Sequence, residues 1–225
     1  MRQPAFVENS LGYNLFIGYH PEGDGGFVSR IAIIPMNILD DGERDRFCMQ
    51  QAIEFIRQNP GEAARRIWVR LVKFMGPEDR EFFYFYSNNQ VGPISQPWLA
   101  FIYSLLVIPW LSTLTFGAIG LWHKRENKIA LLAVLYLVGY GLPHLFIIAE
   151  PRFHLAWIPV LIPFAADGWL ARKEVAKELF HNKGKWVLVV LLLLIVISFL
   201  SGFASNFTKL TSIMRDGGNS LSFPY

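Results

Sequence analysis

The chain has 225 residues, 21 Lys and Arg against 18 Asp and Glu, 52% apolar residues and one cysteine. That composition is too apolar for disorder or a collagen-like repeat, and Cys48 alone cannot close an intramolecular disulfide. A net charge of +3 points to no particular partner, so the apolar content makes lipid the first question.

Residues 11–29, LGYNLFIGYHPEGDGGFVS, mix short apolar pieces with Gly12, Gly18, Gly23, Gly25 and Gly26. This predicts a strand or extended piece followed by a flexible turn. Tyr13, Asn14, Tyr19 and His20 offer rings and amides suited to the faces and hydroxyls of a sugar, or else simply tie the loop down. From Asp41 to Gln58, Phe47, Ala52, Ile53 and Ile56 recur at helical spacing, which predicts an amphipathic helix. A second helix is predicted from Asn59 as cap, with Pro60 in its first turn and Glu62 three residues after the cap, ending at Gly76 and Pro77. Along it Ala64, Ile67, Trp68, Leu71, Val72 and Met75 make one stripe, and Glu62, Arg66, Arg70 and Lys73 make another. A basic amphipathic helix beside a span suits the bilayer surface, apolar stripe in the headgroup boundary and cations near phosphates. The alternative is packing within its own domain, with the arginines in water.

Four spans are predicted next. Residues 97–122 and 186–204 contain no Asp, Glu, Lys or Arg, and residues 129–149 have only His144 as a group that takes up charge near neutral pH. Each reaches the length of about 20 residues that a bilayer requires. Residues 153–171 include His154, Asp167, Pro159 and Pro163, which a span tolerates when it packs inside a bundle. Asp167 is expected to be a boundary charge paired with Arg172 or Lys173 one turn later. The loops at 123–128 and 172–185 are basic and predict a cytoplasmic location, which puts residues 1–96, the AEPR turn and the tail from 205 outside. The first 25 residues lack the charged start and apolar core of a signal peptide, so this topology predicts further spans ahead of residue 1, the alternative being that the region crosses the membrane by an unusual route.

His144, Glu150, Arg152 and His154 fall within eleven positions at the predicted outer boundary, where ionisable groups are costly unless used or paired. Arg152 suits a phosphate held by a charge-assisted fork with Glu150 orienting it, and a structural ion pair between the two is the alternative. Two histidines without a third ligand at metal spacing give no metal signal. Asn206, Phe207 and Thr208 match a glycosylation pattern too short to carry weight. The sequence has no phosphate-cradling glycine loop, nucleophile elbow or HExxH motif, and no nucleic-acid-binding pattern.

The order of parts, GYNLFIGYHPEGDGG, then QNPGEAARRIWVRLVKFMGPE, a span, and AEPRF opening a later span, resembles bacterial glycosyltransferases of the GT-C superfamily. More narrowly it is similar to the carboxy-terminal half of proteins related to dolichyl-phosphate-mannose protein mannosyltransferases and to the aminoarabinose transferase of lipid A. The resemblance implies an integral membrane, mostly α fold, with four transmembrane helices of a larger GT-C-like bundle plus an extracytoplasmic loop and amphipathic-helix region. It implies an inner-membrane, multi-pass location. Its domains would be an outer region at 1–96, a membrane region at 97–204 and an outer tail at 205–225.

The implied activity is transfer of a sugar from a polyprenyl-phosphate carrier to an extracytoplasmic acceptor. The family's catalytic acid sits in an early outer loop with no counterpart in this sequence, so no catalytic residue is assigned. A non-enzymatic scaffold or carrier-binding subunit is the alternative. The resemblance assigns Arg152, Arg70 and Lys73 to the carrier phosphate. It puts Glu150, His154, Tyr13, Asn14 and His20 on the orienting or acceptor side, and implies a separately encoded amino-terminal half as a partner besides the bilayer. No cofactor is expected; relatives admit a divalent metal that these residues do not signal.

Overall fold

The computed structural model describes residues 10–87, 90, 94–179 and 184–215; the expected start at 1–9 and tail end at 216–225 lie outside them. Among the described residues every regular element is helical. The elements are α1 (Leu11–Tyr19), α2 (Ser29–Ala32), α3 (Asp41–Gln58), α4 (Pro60–Met75), α5 (Arg80–Ser87), α6 (Gln96–His123), α7 (Lys128–Phe146), α8 (Ile158–Glu178) and α9 (Lys185–Arg215). Short 3-10 turns cover Ile34–Asn37 and Pro151–Trp157. Two compact units emerge. One comprises the described residues up to Phe74 with Tyr140–Glu150, and the other comprises Met75–Gly139 with the described residues from Pro151. The division falls at residue 74 and again inside α7.

In the first unit, residues 11–19 are helical, which corrects the strand expected there. The glycines read as breakers serve close packing instead. A side chain at Gly12 would collide with the Asp45 carbonyl of α3, and one at Gly18 would collide with the Ile147 carbonyl. Their missing Cβ atoms let α1 lie directly on its neighbours. The helix at Asp41–Gln58 matches its predicted bounds; Asp40 caps it by accepting the Glu43 amide at 2.8 Å. Its buried positions are Cys48 and Ala52, while Phe47 and Ile53 stay exposed. Asn59 closes α3, its side chain donating to the Phe55 carbonyl at 3.3 Å, and its own carbonyl accepts the Ala63 amide at 2.9 Å at the start of α4, as the expected cap does.

α4 is inside out by ordinary standards. Its buried residues are Ala63, Arg66, Arg70 and Phe74, and Trp68 and Ala64 face outward. Glu62 is forked by Arg65 at 2.7 Å and reached by Arg66 at 3.2 Å. The Arg65 hydrogen bonds hold the Glu62 carboxyl down at about 2.

The second unit is organised by α6 against α8, where Gly117, Gly120 and Gly168 meet. Trp110, Leu114, Leu161, Val175, Leu188 and Ile195 form its apolar core with α9. Four helical stretches, Gln96–His123, Lys128–Phe146, Pro151–Leu179 and Lys185–Thr208, are long and apolar enough to cross a bilayer, the pattern of a multi-pass membrane protein. Three of them enclose predicted spans, and the second ends at Phe146, three residues short of the predicted 149. Leu131, Leu135 and Val138 of α7 and Val187, Leu193 and Leu200 of α9 remain exposed, as lipid-facing side chains would be. Asp167 pairs with Lys124 at 3.2 Å and stands 4.0 Å from His123, rather than with Arg172 or Lys173. Arg172 turns onto the Trp169 ring instead. α9 continues unbroken through residues 205–215, so the first part of the expected tail is helix. There Asn206 donates to the Asp79 carboxylate at 3.3 Å.

Candidate functional site

In the first unit the glycine-rich turn at 23–27 is held from below by α4. Gly25 has φ of 89°, a left-handed conformation that only glycine adopts without strain. Arg70 lies under this turn with no exposed surface. Its Nε donates to the Gly25 carbonyl at 3.2 Å, Nη2 to Gly18 at 2.6 Å, and Nη1 to Leu145 and Phe146 at 3.2 and 3.1 Å. The guanidinium also lies 4.1 Å from the Tyr19 ring centroid. Burial lowers the Arg70 pKa, countered by Tyr19, but a guanidinium stays charged, and four carbonyl dipoles and a ring face take the place of a counter-anion. One turn earlier, Arg66 is just 2% exposed and donates to the Gly18 and His20 carbonyls at 3.0 and 2.9 Å, over the Phe55 ring. The two arginines thus staple backbone to backbone.

The upper side of the turn is polar and more open. Lys73 Nζ pairs with Asp24 at 2.7 Å, and the Asp24 carboxylate also accepts the Gly26 amide at 3.0 Å. Packing around Asp24 opposes its charged form, but the Lys73 ammonium, the hydrogen bond from it and the Gly26 amide outweigh this and hold its pKa below the usual value. The Asp24 side chain is 66% exposed, so the pair is worth at most about 1 kcal/mol and its use is positional. Glu150, nearly buried, accepts the Phe27 amide at 2.6 Å. A side chain added at Gly26 would run into both Lys73 Nζ and Glu150 Oε1, so the ammonium and the carboxylate flank one point of the turn.

A group whose folded pKa is lowered contributes stability above its unfolded value, about 3.9, and loses it as pH falls through the lower folded value. The Asp24 clamp is therefore expected to stay closed from neutral pH down to pH 5 and to open only below the ordinary carboxylate range. Lys73→Ala should move that opening upward. NMR titration of the Gly26 amide in the detergent-solubilised chain reads it, and an unmoved midpoint in the variant would contradict the assignment.

The residues singled out from the sequence divide between the units. Glu150, Arg70, Lys73, Tyr13, Asn14 and His20 belong to the first, and Arg152 and His154 to the second. Arg70, assigned to the carrier phosphate, donates to four backbone carbonyls. Tyr13 donates its hydroxyl to the Ala32 carbonyl at 2.9 Å, and burial raises its pKa. Asn14 reaches Ser10 at 3.5 Å. His20 accepts the Glu22 amide at 3.3 Å; its pKa is lowered by burial, with Arg66 and Arg30 adding to this against Glu22. Arg152 is exposed on the 3-10 turn. His154 is buried and stacked on Trp110 at 3.9 Å. His144 stacks on Phe74. Among the described residues no three His, Cys, Asp or Glu side chains gather as a metal site.

Asp24 and Arg66 were not singled out from the sequence. The available signal was an acidic residue framed by glycines and cations at 66, 70 and 73 on one helical face, a pattern that looks solvent-facing until a turn is laid over it. No family model, no curated protein and no solved structure matches this chain.

Proposed function

We propose that this chain is the carboxy-terminal part of a membrane glycosyltransferase that moves a sugar from a polyprenyl-phosphate carrier to an extracytoplasmic acceptor. The observation that carries the reading is the glycine turn at 23–27 with Lys73 and Glu150 on either side of Gly26. A small, glycine-lined point flanked by one cation and one carboxylate suits a phosphate-linked sugar. The ammonium meets the phosphate oxygens, and the carboxylate accepts from sugar hydroxyls.

In the reaction an acceptor hydroxyl attacks the anomeric carbon, the bond from that carbon to the phosphate oxygen breaks, and the carrier leaves as polyprenyl phosphate. The hydroxyl proton passes to a base, a role assigned to no residue of this chain. Lys73 serves the carrier phosphate, and Arg70 acts through the turn as a positioning residue. The outward stripe of α4 lies in the headgroup boundary, with Trp68 as its interfacial anchor.

Binding of a polyprenyl-phosphate sugar to the full chain in nanodiscs tests the assignment. Lys73→Ala is expected to weaken it roughly tenfold, the loss of one charge-assisted contact, and Arg57→Ala on α3 should leave it unchanged. Equal losses in both would sink the site. Sugar transfer by the chain supports the enzyme; binding without transfer under any added partner would support a carrier-binding subunit.

The interfacial placement of α4 has its own readout. Cys48 is buried and its thiol is pushed up to about 11, chiefly by burial, so a spin label added to Trp68→Cys reacts selectively. Lipid-soluble oxygen should relax that label more strongly than a water-soluble nickel chelate. The opposite order would place the stripe in water.

A further inference from the structure

Lys73 reaches the open side of the glycine turn with its charge already committed. Arg66 and Arg70 of α4 are buried on backbone carbonyls, whereas the Lys73 side chain keeps 27% of its surface and pairs with Asp24 at 2.7 Å. The Asp24 carboxylate also accepts the Gly26 amide at 3.0 Å. It therefore covers two donors that a phosphate at this turn would use, the ammonium and a backbone amide. A Cβ at Gly26 would stand 2.5 Å from Lys73 Nζ, so the ammonium is within reach of any group that enters beside that glycine.

The acid is held loosely on a turn that is held firmly. Arg70 fixes the Gly25 carbonyl from below, and Glu150, nearly buried, fixes the Phe27 amide. The Asp24 side chain is 66% exposed, and rotation about its own Cα–Cβ bond carries the carboxylate into solvent without movement of α4 or of the turn. An exposed ion pair of this kind shields its cation only in part.

We infer that Asp24 is an internal competitor for the phosphate site: its carboxylate occupies Lys73 until the carrier phosphate displaces it, and returns as the carrier leaves. This role rests on Lys73 serving the carrier phosphate, as proposed above. It gives the turn a charge threshold, because a ligand has to offer Lys73 and the Gly26 amide more than a carboxylate already does. A neutral sugar leaves the pair closed.

The test is the affinity of the full chain in phosphatidylcholine nanodiscs for geranylgeranyl phosphate, a polyprenyl monophosphate, at neutral pH. Apparent affinity scales with the fraction of chains in which Lys73 is open, so Asp24→Asn is expected to tighten binding roughly three- to fivefold. Lys73→Ala should weaken it about tenfold, and the double variant should match Lys73→Ala, because the acid acts only through the ammonium. Glu22→Gln, which removes an exposed acid two residues away, should leave the affinity unchanged. Thermal midpoints within a few degrees of wild type show that the turn is intact; where Asp24→Asn falls below that, Asp24→Ser takes its place. If Lys73→Ala binds as the wild type does, the phosphate assignment falls and the role of Asp24 falls with it. If Lys73→Ala binds weakly but loss of the acid brings no gain, the role of Asp24 alone is overturned. A gain that survives in the double variant, or that Glu22→Gln reproduces, would also overturn it, by showing general repulsion between acid and anion.

Discussion

Arg70→Leu is expected to destabilise the first unit by about 3–5 kcal/mol, the range for removing one partner from a buried, charge-assisted network. Leucine fills most of the volume but leaves the carbonyls of Gly18, Gly25, Leu145 and Phe146 without the donor that now joins them. In a unit of this size that should lower the thermal midpoint by roughly 10 °C or more. Arg70→Lys is expected to recover only part of the loss, because a single ammonium cannot reproduce a planar fork directed at four oxygens. Differential scanning fluorimetry of the three proteins in detergent reads the series. A midpoint for Arg70→Leu within 2 °C of wild type would mean that the fork is not what holds the turn. If carrier binding follows the glycine turn, the leucine variant should also lose it, and restoring the midpoint with a stabilising lipid should not restore binding.

Gly120→Leu should be as damaging in the second unit. A Cβ at Gly120 would collide with the Phe164 carbonyl, and one at Gly168 with the Phe116 carbonyl, so α6 and α8 are in backbone contact there. Any side chain forces the helices apart over their whole crossing, which costs about 3 kcal/mol or more. Gly117→Ala provides the contrast. Its new methyl meets only the end of the Leu161 side chain at 3.0 Å, which can rotate away. Gly120→Ala and Gly168→Ala should each lower the unfolding midpoint in a denaturing detergent titration, and the double variant should fall short of the sum, because one separation of the helices relieves both collisions. A Gly117→Ala protein as unstable as Gly120→Ala would contradict this account.

Much of the membrane portion was legible in the sequence, because a bilayer requires long uncharged runs and these are visible without any tertiary information. The helix at 41–58 was legible for a similar reason, its acidic start and apolar spacing agreeing locally. Residues 11–19 were not. Their glycines carry opposite meanings as breakers and as contact points, and only the presence of Asp45 and Ile147 beside them decides between the two. The same holds for α4, where a residue-by-residue scale assigns arginine to the surface. The carbonyls that make Arg70 a core residue lie partly in a segment far along the chain, so no window centred on α4 contains them. In the candidate site, Lys73 and Glu150 were singled out by residue type. Asp24 was missed because its partner lies across the turn, and Arg152 and Glu150, two residues apart, proved to belong to different compact units.

The reach of Arg70 also orders events during synthesis. Its bonds to Leu145 and Phe146 connect positions 75 and 76 residues apart, and both α6 and most of α7 are made in between. When α4 first emerges, the guanidinium has to remain hydrated, because the carbonyls that will receive it have not been translated. The first unit can therefore close only after two hydrophobic segments have been delivered, and a translocation defect in either should surface as a protease-sensitive glycine turn well before it appears as a missing span.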